Sequence, residues 1–451
     1  MRLPNMCLSG EGTTNLSGDD IQASSKQPST NLRQKLFDHP PREKEIISWA
    51  YAVLWAGLTF VTVPYVRVGV VYISDNVGAG LFTYTVVLVV CAAAAFALYS
   101  IRRRATFWSC FWLVGIAGLI VYLAFGLAGG SPVEAIHYVQ YGTLSVFLFR
   151  AFSHRVRDYS IYLAVTLICT LAGMIDETIQ WLAPDRVFDL RDIWLNFKAA
   201  ALVQIGLAAG IRPKSISGAP GWLGLRRICL LSALVLAYFG LCLQNTPQRV
   251  ASYVSAMPSL GYVNPTQNIM VEYGYLLDDA DKFSFRSRLT QEQLSMFASK
   301  RSEDGKPNLD DVHERDMQGD YNFRELLLSD TFLYEGRLHQ LRRDQNLERA
   351  KSSLQKDKKA QYFAEAFWEN AILKEHFFEI LEGTRYQWSQ PFEADVMAQA
   401  DLTIPYSSSI STHLLVAFNT RQAALLTIGG VVLFLLGALL CNREMKRNGN
   451  V

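Results

Sequence analysis

Residues 133–141 read VEAIHYVQY, residues 173–180 read GMIDETIQ, and residues 192–196 read DIWLN. These pieces decide the fold, because each lies at one end of an apolar helix candidate within residues 131–199. A carboxylate in hydrocarbon is costly, so ionisable residues in membrane segments usually face a bundle interior and mark a site. The stretch therefore predicts a helical membrane protein with a polar site inside it.

Eight apolar segments along the chain are predicted to cross a membrane. A helix of about 20 apolar residues is long enough to span a bilayer. The segments lie at about residues 46–66, 80–100, 107–129, 133–152, 159–182, 193–211, 228–245 and 422–441. The predicted fold class is all-α, a polytopic helical membrane protein with about eight transmembrane helices and a mainly helical extracytoplasmic domain inserted before the last span.

The regions around the apolar segments differ in composition. Residues 1–45 are rich in Ser, Thr, Asn, Gln and Gly, which predicts a disordered cytoplasmic tail. Residues 246–420 have the mixed charge of a soluble domain, and the helical periodicity of residues 323–381 predicts that this domain is mainly helical. Residues 46–245 are then the membrane domain, and residues 421–451 are the last span with a cytoplasmic tail.

Basic residues mainly occupy alternate loops and predict the orientation; the exception is the loop at residues 184–192, where Arg186 and Arg191 are offset by three Asp residues. They are Arg33, Lys35, Arg42 and Lys44 before the first span, Arg102 to Arg104 after the second, Arg150, Arg155 and Arg157 after the fourth, Arg212, Lys214, Arg226 and Arg227 after the sixth, and Arg443, Lys446 and Arg447 after the last. Loops rich in Lys and Arg face the cytoplasm. Both termini are therefore predicted to be cytoplasmic, and residues 246–420 extracytoplasmic.

Composition also excludes several functions. The formal net charge of +2 over 451 residues implies no general affinity for nucleic acid. The seven cysteines show no CxxC spacing, so neither a disulfide framework nor a zinc site is predicted. The sequence contains no glycine-rich phosphate loop and no hydrolase elbow, and no cofactor is predicted.

The polar residues of the central stretch recur at helical spacing. Residues four apart share a helix face, as His137 and Tyr141 do. In the predicted orientation, the polar ends of three helices lie within roughly 10 Å of the outer membrane edge. The candidate ligand-binding residues are Glu134, His137, Tyr141, Asp176, Glu177, Gln180, Arg186, Asp192 and Asn196.

The residue types in this group favour three interpretations. Histidine titrates near neutral pH and close carboxylates push their pKa values apart, so His137, Asp176 and Glu177 are candidates for acid–base catalysis. Arg186 suits phosphate or carboxylate recognition. Alternatively the group is a satisfied polar network that locks three helices together. A metal site formed by His137, Asp176 and Glu177 is the remaining alternative, although no metal is predicted.

At these residues the chain resembles the VanZ-like family, named for a teicoplanin-resistance membrane protein. The matching pieces, within about residues 131–210, are His137-x-x-x-Tyr141, Asp176-Glu177-x-x-Gln180, Pro184-x-Arg186 and Asp192-x-x-x-Asn196. The order and spacing of the pieces, more than any one of them, carry the resemblance. It implies a multi-pass protein of the bacterial cell (inner) membrane that is connected with the envelope and, in some members, with glycopeptide susceptibility.

Three functional hypotheses follow. The first is a VanZ-like envelope protein that binds an anionic surface or lipid-linked ligand, such as an envelope precursor, at the outward-facing polar site. The second is a membrane enzyme that performs acid–base chemistry on a lipid-linked phosphate substrate. The third is a structural or assembly factor whose domain at residues 246–420 docks an envelope protein. The expected partners are therefore the lipid bilayer, a lipid-linked precursor and an envelope protein.

Overall fold

The computed structural model describes residues 42–128, 132–183, 188–279, 282–317, 325–403 and 405–448. It is 74% helical, and seven of the described helices are long and apolar enough to cross a membrane. The architecture is thus that of a helical, multi-pass membrane protein. The predicted tail at residues 1–45 lies outside the described residues except for its end, residues 42–45, which already belongs to the first helix.

The membrane bundle begins with seven consecutive helices in the described chain. They are α1 (Arg42–Asn76), α2 (Gly80–Ile101), α3 (Phe107–Ala128), α4 (Ile136–Phe152), α5 (Ser160–Leu182), α6 (Leu190–Ile205) and α7 (Trp222–Cys242). A 3-10 turn at Pro132–Ala135 precedes α4, and a π-helical turn at Gly206–Ile211 follows α6. These apolar runs form helices because a helix satisfies every backbone polar group within the segment.

The helix α4 departs from the eight predicted spans. It has 17 residues and is not among the seven helices that meet the length and hydropathy of a span. The predicted span began at residue 133, but residues 132–135 form a 3-10 turn, so the α-helix begins only at Ile136. Because α4 packs against α1, α2, α5 and α6, it lies at the centre of the bundle.

An apolar core holds the centre of this bundle together. Its buried members come mainly from α4, α5 and α6, and include Leu144, Leu148, Ile161, Val165 and Ala200. The polar site lies beyond this core, at the start of α4, the end of α5 and the start of α6. The core therefore fixes the three helices that carry the site residues.

A second domain lies between α7 and the C-terminal helix α16 (Thr420–Arg447), which packs along α7. Its helices are α8 (Pro247–Ala256), α9 (Gln291–Asp304), α10 (Leu309–Met317), α11 (Leu326–Ser329), α12 (Thr331–Ser352), α13 (Lys356–His376), α14 (Phe378–Leu381) and α15 (Gln390–Gln399). The long helices α12 and α13 form a hairpin. Two apolar clusters lie along it, one containing Phe332 and Phe377 and the other containing Leu347 and Phe363.

A small three-stranded sheet accompanies the helices of the second domain. It consists of β1 (Tyr275–Asp279), β2 (Phe283–Ser287) and β3 (Tyr406–Ser407). The pair β1–β2 is antiparallel and β2–β3 is parallel, with Phe283 opposite Tyr406. Alternate residues of β2 are buried, as the two-residue repeat of a strand requires, so Phe283 and Phe285 pack on the helices.

Hydrogen bonds connect the second domain to the bundle. The Trp181 indole N–H donates to the Asn268 carbonyl at 2.6 Å, and the Asn268 amide donates to the Trp181 carbonyl at 3.0 Å. The Tyr273 hydroxyl donates to the Leu243 carbonyl at 2.8 Å. These contacts hold the base of the second domain against the ends of α5 and α7.

Candidate functional site

The polar site is built around His137 on the first turn of α4. Its Nδ1 lies 2.9 Å from Asn196 Oδ1 on α6, and its Nε2 lies 3.5 Å from Asp192 Oδ2 one turn earlier on α6. A carbonyl oxygen only accepts, so the proton of Nδ1 points at Asn196 and Nε2 is the nitrogen that faces the carboxylate. The imidazole is therefore oriented by two side chains of one neighbouring helix.

A second contact joins α4 to α5. The Tyr141 hydroxyl donates to Asp176 Oδ2 at 3.0 Å, and both side chains are buried. Tyr141 lies one turn below His137, and the two rings stack with their centroids 6.3 Å apart. One face of α4 thus presents both rings toward the carboxylates of its neighbours.

Glu177 lies on a different face of α5 from Asp176. Its side chain is fully buried, where Oε1 accepts from the Gln180 amide at 2.9 Å and Oε2 accepts from the backbone N–H of Asp189 at 3.0 Å. A rotation of about 100° separates consecutive helical residues, so the two carboxylates bind different partners. Glu177 therefore links α5 to Asp189, the residue that precedes α6.

Glu134 is held at the rim of the site by an arginine that the sequence analysis did not select. Arg191, on the first turn of α6, donates to Glu134 and lies 3.6 Å from Asp189. Asp189 caps α6 by accepting the backbone N–H of Arg191 at 2.7 Å. Arg186, the predicted basic residue of the site, lies outside the described residues.

The close packing of α5 on α6 depends on Gly173. A Cβ at this position would lie 2.8 Å from Asn196 Nδ2 and 2.9 Å from Asn196 Cβ, closer than a Cβ atom approaches non-bonded atoms. The absence of a side chain at Gly173 lets the fully buried Asn196 sit between α4 and α5. Small residues permit this kind of helix approach in membranes.

The site combines one imidazole with several carboxylates. The Asp192 carboxylate lies 3.5 Å from the His137 imidazole, and the Asp176 carboxylate accepts from Tyr141 on the same face of α4. Three buried polar atoms have no hydrogen-bond partner among the described residues: Glu134 Oε2, Asp192 Oδ1 and Asn196 Nδ2. Such atoms are costly to bury without a hydrogen-bond partner. Within the described chain, no group of three His, Cys, Asp or Glu residues is placed to hold a metal ion.

Sequence reasoning missed a second set of buried polar groups, in the second domain. Glu369 on α13 is fully buried, with Oε2 at 2.6 Å from His339 Nδ1 and Oε1 accepting from the Tyr406 and Ser408 hydroxyls at 2.7 and 2.6 Å. On the same hairpin Arg343 donates to Asn370 at 3.0 Å. The one signal in the sequence was the polar Asn370 within an otherwise apolar repeat.

A third polar cluster lies at the base of the second domain. Arg288 donates to both oxygens of Glu272 at 2.8 and 3.0 Å and to Glu335 at 3.2 Å, while His413 Nε2 lies 2.8 Å from Glu272. Burial alone would raise the pKa of Glu272, but its hydrogen bonds to His413 and Arg288 and the charge of Arg288 lower that pKa to about 2. The Glu272 carboxylate is therefore ionised at neutral pH, and its contacts with Arg288 and His413 hold this part of the fold together.

Comparison with known proteins gives no match: no family model matches the chain, and neither a curated protein nor a solved structure is detectably similar to it. The fold and the site by themselves define the class. The chain is a multi-pass helical membrane protein with a polar network where α4, α5 and α6 meet.

Proposed function

We propose that the chain is a VanZ-like protein of the bacterial envelope that binds a lipid-linked ligand at the polar site. The observation that carries this proposal is the convergence of His137, Asn196 and Asp192 from two helices, with Tyr141 and Asp176 one helical turn further along. Polar groups from three packed helices thus meet at one end of the bundle, which supports a site for the headgroup of a lipid-linked ligand. The basic loops support placing this end of the helices on the extracytoplasmic side.

The charge of the site narrows the ligand. Among the described residues, the site has carboxylates at Glu134, Asp176, Glu177 and Asp192, whereas Arg191 is already paired with Glu134. Repulsion from these groups disfavours a bare anion. A headgroup that donates hydrogen bonds, such as a sugar or amino alcohol carried on a lipid phosphate, is the better fit, because its hydroxyl or amino groups can donate to the oxygens of Glu134 and Asp192 that have no partner among the described residues.

The test is mass spectrometry of the lipids that co-purify with the full chain. We expect a specific lipid with wild type that is reduced about tenfold or more in His137→Ala, since Asn196 and the Asp192 carboxylate that faces the ligand lose the imidazole that orients them, at a cost of roughly 1.5–3 kcal/mol. The matched control is His154→Ala, at the opposite end of α4, where the imidazole contacts only the Ser48 hydroxyl among its described hydrogen-bond partners. The control is expected to retain the lipid.

The conservative variant His137→Gln separates binding from folding. It keeps a polar group that can reach Asn196, so a fold that depends only on this contact survives the change. Lipid retained by His137→Ala to the same extent as by wild type would contradict the proposal. If both His137 variants lose the lipid while their thermal unfolding midpoints match that of wild type, a purely structural role for the network is excluded.

A second candidate function is acid–base catalysis on the same lipid. The observation that favours it is the orientation of His137, whose Nδ1 faces Asn196 and whose Nε2 faces the Asp192 carboxylate at 3.5 Å. An imidazole held in this way can take up or release a proton at Nε2. In the co-purification experiment, a chemically altered lipid found with wild type and absent from His137→Gln would favour catalysis over binding.

A further inference from the structure

A cleft of about 540 Å³ lies where α5 and α7 end and α8 begins. Its walls include Thr178 and Trp181 of α5, Tyr238 and Leu241 of α7, and Arg249 of α8. Thr178 is about 200° around α5 from Asp176, so the cleft opens on the face of that helix opposite to Asp176. The cleft is therefore a site separate from the polar network.

The position of the cleft matches the boundary between hydrocarbon and headgroups. It lies at the ends of two helices that are long and apolar enough to span a membrane. Leu241 leaves 71% of its surface exposed beside the cleft, as a lipid-facing side chain does. The lining also includes Trp181, Tyr238 and Tyr253, the residue types that concentrate at membrane interfaces.

The helix α8 closes the cleft from the side of the second domain. It is amphipathic: Val250 is fully buried against the protein, whereas Gln248 and Arg249 are exposed. The polar side of α8 is therefore turned away from the protein. Arg249 lies on that exposed side and also lines the cleft.

The charge of the lining points to the chemistry of the occupant. Among the described lining residues, Arg249 is the cation and no carboxylate is present. Arg249 forms no ion pair with any residue that the structure describes. A guanidinium binds phosphate through two parallel hydrogen bonds. Arg249 therefore suits a lipid phosphate, and the neighbouring apolar lining suits the acyl chains of the same lipid.

We propose that this cleft binds a phospholipid from the leaflet nearest the second domain. Arg249 binds the phosphodiester, and an acyl chain lies along Leu241 and Tyr238. Met270, which also lines the cleft, contacts the glycerol end of the chain. The bound lipid fills the gap between the membrane helices and the second domain, and it binds whether or not the polar network is occupied.

The test is a lipid titration of the full-length protein in detergent, followed by native mass spectrometry. The probes are phosphatidylglycerol and a diacylglycerol with the same acyl chains, which lacks the phosphate. We expect wild type to prefer phosphatidylglycerol and Arg249→Ala to weaken its binding about tenfold, because a charge-assisted hydrogen bond is lost. Since Arg249 is exposed, its replacement leaves the fold intact.

Two further variants make the outcome decisive. Arg421→Ala removes another exposed arginine, at the start of α16 and outside the cleft lining, and is expected to change affinity by no more than about twofold. Met270→Trp fills the cleft without changing charge and is expected to weaken binding of both probes. Equal binding of both probes by wild type, unchanged binding by Arg249→Ala, or an equal loss in Arg421→Ala would each overturn the proposal. His137→Ala is expected to bind phosphatidylglycerol as wild type does.

Discussion

At the scale of single residues, Gly173 controls the geometry of the polar site. Its missing side chain leaves room for Asn196, which in turn orients His137. The variant Gly173→Ala is expected to push Asn196 away and destabilise the protein by about 1–3 kcal/mol, the usual cost of overpacking a tight contact. The measurement is the thermal unfolding midpoint of the purified protein, which is expected to fall.

A matched control for this prediction is Gly429→Ala in α16. A Cβ at Gly429 would meet nothing within 4 Å, so this change tests alanine in a membrane helix without a steric clash. We expect the unfolding midpoint of Gly429→Ala to equal or exceed that of wild type, since alanine favours helix. Equal midpoints for the two variants would show that Asn196 is not held by close packing against α5.

At the scale of elements, the hairpin of α12 and α13 has an unusual buried seam. Glu369, His339, Arg343, Asn346 and Asn370 are each no more than 1% exposed, and they lie between the two apolar clusters of the hairpin. A buried charge is tolerated only where hydrogen bonds compensate for lost water. The three donors around Glu369 supply that compensation, and they tie α13 to α12 and to β3.

Removing this carboxylate is expected to loosen the hairpin. Glu369→Ala leaves His339 and the Tyr406 hydroxyl without their partner, at a cost of about 3–5 kcal/mol. Hydrogen exchange measured by mass spectrometry is expected to accelerate in α12 and α13. The control is Glu393→Ala, which breaks a half-exposed ion pair with Lys374 and is expected to cost less than about 1 kcal/mol. Similar hydrogen-exchange rates of α12 and α13 in both variants would contradict the prediction that Glu369 stabilises the hairpin.

At the scale of the whole molecule, one ion cluster joins parts of the chain that are distant in sequence. Arg288 follows β2, Glu335 belongs to α12, and Glu272 and His413 precede β1 and α16. The cluster therefore joins the first and last parts of the second domain to its long helix α12. Its contribution to stability depends on the charge of Glu272.

The pKa of Glu272 predicts an acid-sensitive connection. The pKa is lowered from 4.5 to about 2, so the carboxylate stabilises the folded state fully above about pH 4.5 and loses this effect as the pH falls toward 2. The difference corresponds to about 3 kcal/mol. We expect the unfolding midpoint of the second domain to fall over this pH range in wild type and to fall less in Glu272→Gln. Identical pH profiles would contradict this assignment.

Much of the architecture could be predicted because it depends on local composition. Seven of the eight predicted spans coincide with helices of sufficient length and hydropathy, since apolar runs in a bilayer form helices. The exception, α4, is shorter because the 3-10 turn at Pro132–Ala135 takes up its start, a boundary that hydropathy alone does not mark.

The site was predicted only in part. The helical spacing of His137 and Tyr141 indicated that they share a face, and both contact neighbouring helices from that face. The sequence indicated Arg186 as the basic residue of the site. Arg186 lies outside the described residues, and the described ion pair joins Arg191 to Glu134. The polar seam of the second domain was missed because its members resemble the solvated face of a surface helix.

The membrane character of the chain and the polar ends of its central helices follow from sequence alone, because hydropathy and helical periodicity are properties of neighbouring residues. Tertiary packing decided which polar groups meet. The contact between His137 and Asn196, the burial of Glu369 and the cleft beneath Arg249 all depend on the approach of helices that are far apart in sequence. The distance between these helices depends on steric details such as the missing side chain of Gly173, which leaves room for Asn196. The spacing of residues along the sequence does not predict such details.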